Sequence, residues 1–122
     1  MTWTTCFSQE ADAWFRDAQR DKGTDAHKAG LRFRELVQNR LEPYGPHRAE
    51  LRELKKIHGV DDLWQLRVGA YRMFMGFATG QRIVISSIVE KRRGNLPQDS
   101  YKRESRRVAE LMERAVAGEL EC

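Results

Sequence analysis

Apolar and polar positions along this chain repeat in two rhythms, and the change of rhythm divides it into elements. Thr2 to Phe7 mixes threonine with aromatics and reads as a first strand. Ser8 is placed to cap a helix over residues 9 to 20, in which Ala11, Phe15 and Ala18 recur at helical spacing. Asp21-Lys22-Gly23 interrupts it, and Thr24 or Asp25 caps a second helix with Ala29, Phe33, Leu36, Val37 and Leu41 on one face. Pro43 is expected to end that helix, and Tyr44-Gly45-Pro46 to make a turn. Two helices joined by so short a link form an antiparallel hairpin.

From His47 to His58 the leucines and isoleucine at 51, 54 and 57 suit a short helix or a loop with helical turns. Beyond Gly59 the period falls to two. Leu63–Val68 and Tyr71–Phe77 are strand-like, with Gly69-Ala70 suited to a type II′ turn. Thr79-Gly80 turns the chain again into a third strand from Arg82 to Glu90. Leu96-Pro97 opens a last helix whose stripe is Tyr101, Val108, Leu111, Met112 and Ala115. The fold class is α+β: a strand, a two-helix hairpin, a three-stranded antiparallel meander and a final helix, in a single domain over residues 1 to 122.

That pattern has a chemical consequence. With Gly69 and Ala70 as the turn, Arg67 and Arg72 stand opposite one another, about 5 Å apart on one face of the sheet. Like charges so placed repel, so an acidic neighbour or an anionic ligand is needed to offset them. Gln65 shares the face, while Trp64, Leu66 and Val68 point to the other. In the third strand, simple alternation of Arg82, Val84, Ser86, Ile88, Glu90 and Arg92 leads into Glu90-Lys91-Arg92-Arg93, a basic end able to meet the pair. Guanidinium groups held together suit a phosphodiester, because fixed cations stabilise the charge that builds on a phosphorane. A structural salt bridge from Arg67 to Glu90 or a nearby aspartate is the other reading.

Charge sharpens this picture. The 22 lysines and arginines against 18 acids leave a net +4. Arg82, Lys91, Arg92, Arg93, Lys102, Arg103, Arg106 and Arg107 crowd the last third, the footprint of a polyanion binder or else a solvated basic face. Lys55 and Lys56 add to the basic surface. The longest apolar run, Ile83 to Val89, contains two serines and falls short of the roughly 18 residues a membrane span needs. No basic, apolar leader opens the chain, so the cytoplasm is the expected location and no membrane partner is expected. Cys6 and Cys122 match no metal-ligand spacing and are expected to stay unbridged, Cys6 buried and Cys122 dangling. His27, His47 and His58 read as surface residues. No metal and no cofactor is expected.

At these residues the chain resembles a known family. Leu63-Trp64-Gln65-Leu66-Arg67-Val68, Tyr71-Arg72-Met73-Phe74, Glu90-Lys91-Arg92-Arg93 and Leu96-Pro97 follow one another as in the RelE/ParE toxin superfamily, and the HigB-like branch is nearest. The resemblance covers nearly the whole chain and is most specific over residues 63 to 97. It implies a toxin of a type II toxin–antitoxin pair, a metal-independent endonuclease that cleaves mRNA on the ribosome. Its implied partners are a cognate antitoxin, the ribosome and mRNA. Carried over by position, Arg67, Arg72, Lys91 and Arg92 would be the catalytic cations. Apart from that carry-over, Arg93, Lys55 and Lys56 on the basic surface are expected to help bind RNA. Tyr101 would be the C-terminal aromatic that stacks on a base or assists in-line attack, although its helical periodicity also suits the core. The chain departs from the pattern at Gln65, where the family's glutamate is usual, and at Leu63 and Gln65, where RelE carries lysines. The resemblance therefore assigns no general base. Glu90 is the nearest candidate in sequence and His58 a distant one. A ParE-like inhibitor of DNA gyrase, or an inactive prophage-derived remnant, would share the fold without the chemistry.

Overall fold

A computed structural model describes residues 2–91 and 96–122. Strand β1 is Thr4–Phe7; helices α1 (Gln9–Arg20) and α2 (Asp25–Leu36) follow. The caps are those the sequence suggests: the Ser8 and Thr24 hydroxyls accept from the amides of Ala11 and His27. Past Leu36 the helix does not stop at Pro43. It widens into a π-helical turn over Val37–Leu41 and runs into α3 (Glu42–Arg48). Pro43 falls at the junction where the π-helical turn has already departed from the regular α ladder. The break falls instead at Gly45, whose φ of 76° is left-handed.

Five strands form one sheet in the order β1-β5-β4-β3-β2. Strands β3 (Trp64–Val68), β4 (Tyr71–Ala78) and β5 (Arg82–Glu90) are the expected antiparallel meander, and β1 lies parallel to β5 at one edge. Gly69 has φ 58° while Ala70 stays out of the left-handed region, as a type II′ turn requires. The other edge is β2, Leu54–Lys56, antiparallel to β3. Leu51, Leu54 and Ile57 thus owe their spacing to a strand and its flanks. The edge segment is too short for a period of two to declare itself.

One sheet face is covered by α1 and α2, where Phe15, Phe33, Leu36 and Leu41 pack on Leu66, Met73, Met75, Ile83 and Ile85. The other is covered by α4 (Gln98–Val116) through Val108, Leu111 and Ala115. Gly76 is what lets α4 lie so close: a β-carbon there would come 2.5 Å from Val108 and 2.7 Å from the Met112 sulfur. Ser105 anchors the same helix by donating to the Asp61 carbonyl at 2.6 Å.

The expectation of unbridged cysteines is overturned. Cys6 and Cys122, 116 positions apart, form a disulfide. After α4 the left-handed Gly118 turns the chain, and Leu120 packs into the cluster that contains Cys6, Ala78 and Val84. Packing of the tail, which no cysteine spacing reveals, delivers Cys122 to β1. Among the described residues no helix is long and apolar enough to cross a membrane.

Candidate nucleic-acid interface

Arg67 and Arg72 are direct partners in the β3–β4 ladder. Directly opposed residues share a face, and this one is the α4 side, because Phe74, two residues from Arg72, packs against Val108 and Tyr101 there. Arg67 is exposed, whereas Arg72 is only 9% exposed. The Arg72 Nη1 donates to the carbonyls of Gly69 at 2.8 Å and Tyr71 at 3.0 Å. The cation is therefore tied to the turn that precedes it. Burial, and then the neighbouring Arg67 charge, lower the Arg72 pKa, and Tyr101 opposes them. Among the described residues no carboxylate lies within ion-pair distance of either arginine, so the structural salt bridge from Arg67 is not formed.

Strand β5 meets this face in a different phase from the one simple alternation predicts. Met75 pairs with Ile85 and Phe74 with Ser87, leaving Ser86 as the extra residue of a β-bulge. Its hydroxyl sits 3.3 Å from the Phe74 carbonyl oxygen and 3.0 Å from Glu104 Oε2, and its own carbonyl accepts from Ser8 at 2.6 Å. Beyond the bulge every side chain changes face. Val89 becomes the partner of Arg72, and Glu90 the partner of Tyr71, which packs on Trp14 of α1. Glu90 is thus on the face away from the arginines. Lys91 follows just past the strand, its amide donating to the Ala70 carbonyl at 2.6 Å. Arg92 and Arg93 lie outside the described residues.

The edge strand divides the two lysines expected to help bind RNA. Lys55 pairs with Gln65 and so shares the arginine face, while Lys56 pairs with Trp64 on the other. A row therefore crosses the sheet beneath α4: Lys55, Gln65, Phe74 and Ser87. Tyr101 stands edge-on over Phe74, with ring centroids 6.1 Å apart. It is half-buried and packs against the Phe74–Val108 cluster, and it acts electrostatically on Arg72. Gln65 Oε1 and Ser87 Oγ, flanking Phe74, are buried without a hydrogen-bond partner among the described residues. Ser87 was not legible as part of this face, because only the bulge turns it inward. His58 is exposed, His47 lies against Trp64, and His27 is half-buried with its Nδ1 2.9 Å from the Ala18 carbonyl oxygen, a structural contact. Among the described residues no group of three or more histidines, cysteines and acids converges as a metal site.

Comparison with known proteins agrees with this architecture. No family model matches the sequence, and no curated protein does. Among solved structures the chain is similar to one in the archaeal RelE–RelB complex from Pyrococcus horikoshii OT3. There the TM-score is 0.53 at 21% identity, over 77% of this chain and 100% of that one. It is also similar to one in the toxin–antitoxin complex RelBE2 from Mycobacterium tuberculosis, with TM-score 0.51, 17% identity, and 75% and 100% covered. The chain has the RelE-like fold.

Proposed function

We propose that this protein is the toxin of a type II toxin–antitoxin pair and that its α4-side face grips an RNA phosphodiester for cleavage. The carrying observation is the ladder pair Arg67–Arg72, two guanidinium groups on one face without a carboxylate partner among the described residues. A cationic pair costs stability as it stands, and a phosphate would offset the repulsion. Lys55 lies on the same face, and Lys91 and Arg92 follow β5 directly in sequence. The likeness of fold to chains of RelE–RelB and RelBE2 complexes supports a protein antitoxin as the partner. The HigB-like branch, mRNA on the ribosome as the substrate, and the cytoplasm as the place of action are part of the same proposal.

In the proposed reaction the 2′-oxygen of the RNA bonds to phosphorus, its proton leaving to water or a base. The bond from phosphorus to the 5′-oxygen then breaks, and that oxygen takes up a proton. Arg72, held by the turn carbonyls, and Arg67 would meet the two non-bridging oxygens as charge builds on them. Preorganised donors of this kind are worth several kcal/mol in the transition state. With Glu90 turned away, positioning and charge carry the rate, and Tyr101 is the remaining side chain able to line up the strand. The test is mRNA cleavage in a translating extract. Cleavage by the wild type and its loss in Arg72→Ala combined with Arg92→Ala are expected; undiminished cleavage by the double variant defeats the assignment. Intact mRNA with inhibited gyrase supercoiling would point to the ParE-like activity instead.

A further inference from the structure

At the other end of the β3–β4 pair, and on the opposite face, a second feature is built from aromatic rings. Phe77 stands perpendicular to two indoles, with its centroid 5.6 Å from Trp3 and 5.4 Å from Trp64. The His47 ring meets Trp64 edge-on at 5.8 Å. Helix α3 closes over this stack only because residue 45 is glycine: a β-carbon there would come 2.7 Å from Trp3 Nε1, and its φ of 76° is left-handed as well. The helix and the stack border an open cleft of about 530 Å³, a volume in the range of small-ligand sites. Tyr44 stands at its rim, 54% exposed.

Arg48 is the one lysine or arginine among the cavity's lining residues. Arg48, His47 and the Gln81 amide line it, and no carboxylate does. Arg48 has no acid within ion-pair distance among the described residues. Glu42, just before the cavity in sequence, is engaged by the Thr5 hydroxyl at 2.6 Å. An apolar peptide would leave the arginine and the amide unused. A flat π-system carrying an anion uses both, because bases stack on aromatic side chains regardless of sequence and arginine pairs with phosphate. We propose that this cavity binds a nucleotide, its base laid on the Tyr44 and Trp64 rings and its phosphate toward Arg48. The site is separate from the arginine pair and does not depend on cleavage.

Tryptophan fluorescence reads it directly, since Trp3 and Trp64 form its walls while Trp14, on α1, packs against Tyr71 and does not line it. The full-length protein is titrated with AMP, with a short oligoadenylate and with a proline-rich peptide as control. Saturable quenching by AMP is expected. Tyr44→Ala and Arg48→Ala, both exposed and outside the core, should each weaken it about tenfold, and Arg72→Ala should leave it unchanged. Tighter binding of the oligoadenylate identifies an RNA strand as the source of the nucleotide, and equal binding a free mononucleotide. The proposal is overturned by absence of quenching, by quenching indifferent to both cavity variants, by quenching that only Arg72→Ala removes, or by a response to the peptide and not to AMP.

Discussion

Tyr101 and Phe74 meet as a T-shaped ring pair, and Tyr101 also acts electrostatically on the buried Arg72. Removing the ring and removing the hydroxyl should therefore have different effects. Tyr101→Ala is expected to cost about 2 kcal/mol in denaturant unfolding, through the lost aromatic pair and burial. Tyr101→Phe keeps the ring and should stay within about 0.5 kcal/mol of wild type. A fall in RNA cleavage with Tyr101→Phe at unchanged stability would place the hydroxyl at the reacting strand.

The opposed arginines make stability and binding move in opposite directions. Arg67→Ala removes a like-charge neighbour and should stabilise the fold by a few tenths of a kcal/mol, up to about 1, while weakening RNA binding. Urea unfolding paired with an RNA-binding titration gives both signs. Arg72→Ala should instead destabilise by about 1–2 kcal/mol, since the Gly69 and Tyr71 carbonyls lose their donor.

Binding that rests on Arg67, Arg72 and Lys91 should fall steeply with salt. Each phosphate neutralised on a single strand contributes about −0.7 to the slope of log affinity against log salt. Arg67→Ala should make that slope shallower by about one such step, and a slope the variant leaves untouched would remove Arg67 from the contact.

The bond from Cys6 to Cys122 ties the two ends of the described chain together. Closing so long a loop restricts the unfolded chain, and Cys122→Ser should lower the unfolding free energy by about 2–4 kcal/mol. Thermal unfolding of the wild type with and without reductant should show a shift in the same direction.

Gly76→Ala tests how α4 is seated. The added methyl has no space against Val108 and Met112, and overpacking of this kind costs about 1–3 kcal/mol. The loss should appear as a lower midpoint with the cooperativity of the transition retained.

Much of this architecture was legible in the sequence, and the exceptions have physical causes. Caps at Ser8 and Thr24, the turn at Gly69 and the opposition of Arg67 and Arg72 all follow from local rules of period and turn chemistry. Leu54–Lys56 escaped because three edge residues flanked by leucine and isoleucine satisfy helical spacing equally well. Pro43 misled because proline at the start of a helix and proline after its end look alike until the backbone is seen. The disulfide depends on where α4 lets the tail fall, which is a long-range matter. For the candidate site, the arginine pair could be placed and the orientation of Glu90 could not. That orientation depends on one irregular residue within β5.

Ser86 settles the sign of the charge shown beside the guanidinium groups. Were it drawn into the ladder instead of extruded, each later residue of β5 would turn over. Glu90 would then rise next to Arg67 and Arg72, a self-contained ion cluster with little appetite for an outside anion. A chain of identical composition would have lost its cationic face through parity alone.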